Sequence, residues 1–132
     1  MKINASGGVS IINKTKGKLP RLPFVNAKNA VLGEKYELSV AFVGNKESQN
    51  LNKKYRSKNK PANILSFPLS KKEGEIIICP NQAKKDARNF NLTYAKFIPF
   101  LFIHGLHHLK GLKHSSRMDK KEAVVRKKFG LD

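Results

Sequence analysis

Short runs of apolar residues occupy the first half of the chain, and longer stretches at helical spacing occupy the second. VSIIN (Val9 to Asn13) reads as a short strand, followed by a Lys/Gly/Pro connection through Pro23. PFVNAKNAVLG carries apolar residues at helical spacing and ends at Gly33, a glycine suited to cap it. ELSVAFVG is a strand, nearly apolar in its second half. Asn45 then stands as the N-cap of KESQNLNKKYRSK, where Leu51 and Tyr55 share a face at i, i+4 and are expected to point at the core. NILSFP and GEIIICP are two more strands, and the hairpin-sized loop between them predicts antiparallel neighbours. Helices are predicted over 81–89, 93–110 and 118–129, with Pro99 either starting or kinking the second. Strands first and helices last give an α+β domain, with one small mixed sheet of about four strands covered by helices. No internal repeat or low-complexity linker divides the chain, so residues 1–132 are expected to form a single domain.

Charge changes this picture. The chain has 27 Lys and Arg against 9 Asp and Glu, a formal net charge of +18. Such an excess repels itself and calls for an anionic partner, nucleic acid or an acidic membrane surface. The lysines are scattered rather than gathered in a tail, which favours a folded basic surface. The single cysteine, Cys79, rules out an intramolecular disulfide and fits a reducing compartment; within EIIIC it is expected to be a buried thiol. The N-terminal stretch has no apolar core of signal-peptide length, and FIPFLFI is too short to span a bilayer. A soluble, cytoplasmic protein with no membrane partner is expected.

All 4 histidines fall within HGLHHLKGLKH, from His104 to His114. His104 and His108 are four apart in a predicted helix, so both imidazoles project from one face. Gly111 stands where a helix ending in a left-handed residue needs glycine, and the returning chain brings His114 as a third nitrogen ligand. Three neutral imidazoles with an open fourth position form the donor set of a catalytic zinc site. The spacing is that of the metzincin pattern H-E-x-x-H-x-x-G-x-x-H. The pattern's glutamate, the base that activates water for peptide hydrolysis, is replaced by Gly105. The spacing therefore argues for a metal and against a protease. His107 is out of register and is not expected to be a ligand.

With these residues the chain resembles the YbeY family of bacterial rRNA-maturation endoribonucleases, whose signature is H-G-x-L-H-L-x-G-Y-D-H. His104, Gly105, His108, Leu109, Gly111 and His114 match it. The family's L-N-x-x-Y-R is LNKKYR (Leu51 to Arg56), its D-V-L-S-F-P strand is NILSFP, and its G-D-I is Gly74-Glu75-Ile76. Met118 and Glu122 also stand where the family has such residues. The resemblance runs from about Glu37 to the C-terminus. Leu112-Lys113 replaces Tyr-Asp, His107 replaces Leu, and Asn63 replaces the Asp before the strand.

The resemblance implies a zincin-like metal site with one Zn²⁺ per chain, held by His104, His108 and His114. It implies a single-strand endoribonuclease acting in 16S rRNA 3′-end maturation and ribosome quality control. RNA and the ribosome, rather than DNA, are then the partners. It also implies that Arg56 lines the metal cleft and is catalytic together with His114. Zinc can polarise a phosphoryl oxygen or activate a water, and a guanidinium can grip a phosphate through two hydrogen bonds. A ribose 2′-hydroxyl and a metal-activated water are the candidate nucleophiles. Two other readings compete: a metalloprotease-like hydrolase, and a non-catalytic ribosome-assembly factor whose zinc is structural and closed by a fourth protein ligand. With few aromatics and no Trp to stack on bases, binding is expected to run mainly through phosphates, steeply dependent on salt and little on sequence.

Overall fold

A computed structural model describes residues 2–111 and 116–130. The chain is α+β, as expected, but among the described residues its mixed sheet has five strands in the order β1-β2-β3-β5-β4. These are β1 (Lys2–Ser6), β2 (Val9–Asn13), β3 (Glu37–Phe42), β4 (Ile64–Ser70) and β5 (Glu73–Ile78). The additional strand is β1, antiparallel to β2 across Gly7-Gly8. Both glycines have positive φ, 55° and 76°, which is the backbone a two-residue hairpin turn demands. β2, β3 and β5 run parallel, while β4 closes the far edge antiparallel to β5 across Lys71-Lys72.

Among the described residues there are five helices: α1 (Phe24–Leu32), α2 (Asn45–Arg56), α3 (Pro80–Asn89), α4 (Tyr94–Leu109) and α5 (Ser116–Lys128). Alternation along the strands sorts the side chains between two faces. Val40, Phe42, Ile76 and Ile78 pack with α1, α3 and α4 in the main core, which Val125 and Phe129 complete from the C-terminal side. Ile77, Leu65, Val43 and Cys79 face the other way, where Leu51 of α2 and Phe67 cover them. Cys79 is a buried free thiol, as its apolar run predicts, and its Sγ donates to Oδ1 of Asn45 at 3.2 Å.

That bond corrects the expected helix start. Asn45 is the first residue of α2, Gly44 takes the N-cap position, and no side chain caps the end. The inner face of α2 also differs from expectation. Its buried residues are Ser48 and Asn52, whereas Tyr55 is 52% exposed and rests edge-on against Phe67. The reason is that α2 binds a loop: Ser48 Oγ donates to the Ala62 carbonyl at 2.7 Å, and Asn52 Nδ2 to the Lys60 carbonyl at 2.8 Å. Buried amides and hydroxyls hold the 57–63 segment against the helix, and the apolar stripe continues only as far as Leu51.

The central helix, α4, starts where Thr93 Oγ1 accepts from the Lys96 amide and runs through the core with Phe97, Leu101, Phe102 and Leu106 buried. Pro99 lies inside the helix rather than starting it. Among the described residues, no helix is long and apolar enough to cross a membrane.

Candidate metal centre and its cleft

His104 and His108 project from α4 toward β4. Their Nε2 atoms lie 2.9 Å apart, with the rings nearly perpendicular at 87°. His104 Nδ1 lies 3.0 and 3.1 Å from the two carboxylate oxygens of Glu122 on α5. A carboxylate accepts only, so Nδ1 of His104 carries a proton, and in the neutral ring Nε2 then keeps a lone pair. The other face of the ring stacks parallel to Phe100, on which the guanidinium of Arg126 rests 5.0 Å from the ring centre. The imidazole is thus fixed in both tautomer and orientation.

This arrangement fits a metal. Two nitrogens each about 2.0–2.1 Å from one zinc ion must lie within roughly 4 Å of each other, and the observed separation meets that limit. The carboxylate behind the first histidine is the partner that fixes and strengthens such a ligand. Among the described residues no group of three or more metal-binding side chains is assembled. The third expected ligand, His114, lies outside the described residues, as do Leu112 and Lys113. The helix end before them is as expected: Gly111 has φ +89°, and its amide donates to the His108 carbonyl at 2.9 Å. A Cβ there would meet nothing within 4 Å, so the demand for glycine is conformational.

At Gly105 the demand is steric. A Cβ there would sit 2.8 Å from Ile64 Cδ1, 3.1 Å from Ser66 Oγ and 3.2 Å from Ile76 Cδ1. Close approach of α4 to the sheet seats the two histidines beside β4, and a side chain at position 105 would have to displace the ends of Ile64, Ser66 and Ile76.

His107 faces elsewhere. It is 3% exposed, donates from Nδ1 to the Ile103 carbonyl at 2.9 Å, and lines a different concavity with Val31 and Val125. Burial holds its pKa below the usual imidazole value and so favours the neutral ring.

Arg56 is the last residue of α2, and the structure brings it to the histidines. A cleft of about 370 Å³ is lined by Arg56, His104 and His108 together with Ile64, Leu65, Ser66 and Pro68 of β4. Arg56 Nη2 donates to the Ser66 carbonyl at 3.0 Å, and the guanidinium lies 5.3 Å from the Phe67 ring centre. A guanidinium has five N–H donors, so this anchor leaves donors for a ligand.

Comparison with known proteins identifies the family. Residues 15–130 match the sequence profile described as "Endoribonuclease YbeY". The chain belongs to the YbeY family. It is similar to the protein named Endoribonuclease YbeY in Staphylococcus carnosus, with 37% identity over 108 residues, 73% of this chain and 71% of that one. The protein of the same name in Francisella philomiragia is 32% identical over 130 residues, covering 86% and 82% of the two chains. A solution structure from Thermotoga maritima superposes with a TM-score of 0.59 at 28% identity, over 92% of this chain and 89% of that one. The YbeY profile begins at residue 15, well before the Glu37 at which resemblance is visible by motif.

The sequence reading places Glu122 at a YbeY-family position but assigns it no contact. A signal was available. Glu122, Val125 and Phe129 stand at i, i+3 and i+7, so the carboxylate occupies the inward face of a basic helix, where burial demands a partner.

Proposed function

We propose that this YbeY-family chain is a zinc-dependent endoribonuclease that cleaves single-stranded RNA, acting in 16S rRNA 3′-end maturation and ribosome quality control. The observation that carries the reading is the shared cleft, in which a guanidinium and two converging imidazole nitrogens face one space. His104, His108 and His114 hold the ion, one per chain. When bound, zinc supplies Lewis-acid polarisation of a phosphoryl oxygen and eases deprotonation of a water.

The chain's own groups do the rest. Glu122 keeps the proton of His104 on Nδ1, so that Nε2 stays available. Arg56, anchored through the Ser66 carbonyl and packed on Phe67, grips the scissile phosphate with its remaining donors and stabilises the charge that grows on it. Backbone and apolar side chains of β4 form the floor and orient the strand across it. The remaining lysines draw RNA, the ribosome's own polyanion, to this surface. The chain acts as one metal-dependent domain. A protease reading finds no support, because Gly105 stands where the protease pattern has its glutamate base and a larger side chain there would meet Ile64, Ser66 and Ile76.

The test is metal analysis of the pure protein, paired with cleavage of a single-stranded RNA before chelation, after chelation and after zinc is restored. Loss and recovery of cleavage in step with about one zinc per chain is expected. Cleavage indifferent to chelation would reject the metal-dependent mechanism.

A further inference from the structure

Tyr55 stands one helical turn after Leu51, yet it is 52% exposed, and its ring leans edge-on against Phe67 with the centroids 5.2 Å apart. Phe67 in turn carries the Arg56 guanidinium 5.3 Å from its ring centre. One aromatic ring therefore separates Tyr55 from the guanidinium that lines the metal cleft. Because β4 is an edge strand, Tyr55 and Phe67 form an aromatic ledge beside the outer margin of that cleft. Cations crowd the ledge. Lys54 Nζ lies 5.1 Å from the Tyr55 ring centre, and Lys53, Lys58 and Lys60 are exposed on α2 and the segment after it. Burial does not account for the tyrosine, since more than half of it stays in water. The inner face of α2 is held by Ser48 and Asn52 instead.

An exposed ring among cations is the combination that holds single-stranded nucleic acid: the cations follow the backbone and the ring takes a base. Glu75 stands opposite Phe67 on β5, so a phosphate on the ledge would meet a like charge, whereas a neutral base would not. We infer that Tyr55 is a stacking platform for the base of the nucleotide next to the phosphate that Arg56 holds, and that it positions the strand across the metal cleft. The inference rests on the proposed reading of that cleft as an RNA-cleaving site. As the base arrives, Lys54 leaves the ring for the backbone phosphate. Every base has a π face, so the platform holds a strand without choosing among sequences. It does choose between single and paired strands, because only an unstacked base can be splayed onto a side chain.

The experiment is anisotropy titration of the chain with a labelled single-stranded adenylate octamer and with an octamer of the same ribose phosphates that lacks bases. Tyr55→Leu keeps an apolar cover over Phe67 and should bind the adenylate octamer about tenfold more weakly than the unaltered protein, in line with one lost base stack. Tyr55→Phe keeps the ring and should stay within about twofold. All three proteins should bind the abasic octamer equally and lose affinity with salt at the same slope, because the phosphate contacts are intact. In the unaltered protein, the Tyr55 ring-proton resonances should move upfield with the adenylate octamer and stay in place with the abasic one, since a stacked base shields protons over its face. That measurement needs no variant. Undiminished adenylate binding by Tyr55→Leu, an equal loss on both octamers, or unmoved Tyr55 resonances at saturation would each overturn the platform. Chelator-sensitive cleavage is scored separately. Cleavage without the stacking signature sinks the platform and leaves the nuclease reading standing. Stacking without cleavage does the reverse.

Discussion

His104 Nδ1 lies 3.0 Å from Oε1 of Glu122, a carboxylate 1% exposed and eighteen residues further along the chain. The contact joins α4 to α5 at the expected metal ligand, so it couples the packing of two helices to the tautomer of one ring. Glu122→Ala should lower zinc affinity by about 10- to 100-fold, the usual effect of losing a carboxylate behind a ligating histidine. Glu122→Gln keeps an oxygen that can accept from Nδ1 and should lose less. Competition titration against a chromophoric chelator measures both. An alanine variant with unaltered affinity would show that the carboxylate only fills space.

Alanine at His104, His108 or His114 should each reduce zinc content sharply. His107→Ala should keep its metal while losing stability, since it empties a buried position whose Nδ1 bonds the Ile103 carbonyl. Metal analysis after dialysis, with denaturant unfolding alongside, separates the two effects. Full zinc in all of the first three variants would reject the ligand set.

Gly105→Glu restores the letters of a protease motif and should produce no protease. The new side chain would start 2.8 Å from Ile64 Cδ1 and carry a carboxylate into the α4–β4 contact. Overpacking and an unpaired buried charge together should destabilise the fold by roughly 3 kcal/mol or more. Urea unfolding reads the loss, and a stable variant with peptidase activity would contradict the packing argument.

With a net charge of +18, affinity for single-stranded RNA should fall steeply as salt rises. Each phosphate neutralised contributes about −0.7 to the slope of log affinity against log salt on single strands. A titration series across salt concentrations measures the slope. A nearly flat line would mean that the lysines do not meet the phosphates.

How far the sequence could be read depended on the range of each interaction. His104, His108 and the positive-φ Gly111 were legible because helix periodicity and backbone handedness are local. The β4–β5 hairpin was legible from its loop length. β1 carries no strand signal of its own, because KINAS offers one large apolar residue, although Gly7-Gly8 before VSIIN is a usable turn signal. Spacing alone points Tyr55 at the core, yet Ser48 and Asn52 turn the inner face of α2 toward the Ala62 and Lys60 carbonyls. The Glu122–His104 pair joins distant segments, and periodicity holds no information about which buried acid meets which base.

The most direct test of the central claim is single-turnover cleavage of a single-stranded RNA by wild type, Arg56→Ala, Arg56→Lys and His114→Ala. Arg56 shares the cleft with His104 and His108, so its loss should remove roughly 2 to 4 kcal/mol of transition-state stabilisation, as for one oxyanion donor. Lysine restores charge but not the two-pronged grip and should recover little. Zinc content and unfolding midpoint should stay at wild-type values in both Arg56 variants. The account predicts cleavage slowed by about two to three orders of magnitude in Arg56→Ala, and a comparable or greater loss in His114→Ala. Equal rates in all four proteins would contradict it and place any observed nuclease activity outside this cleft.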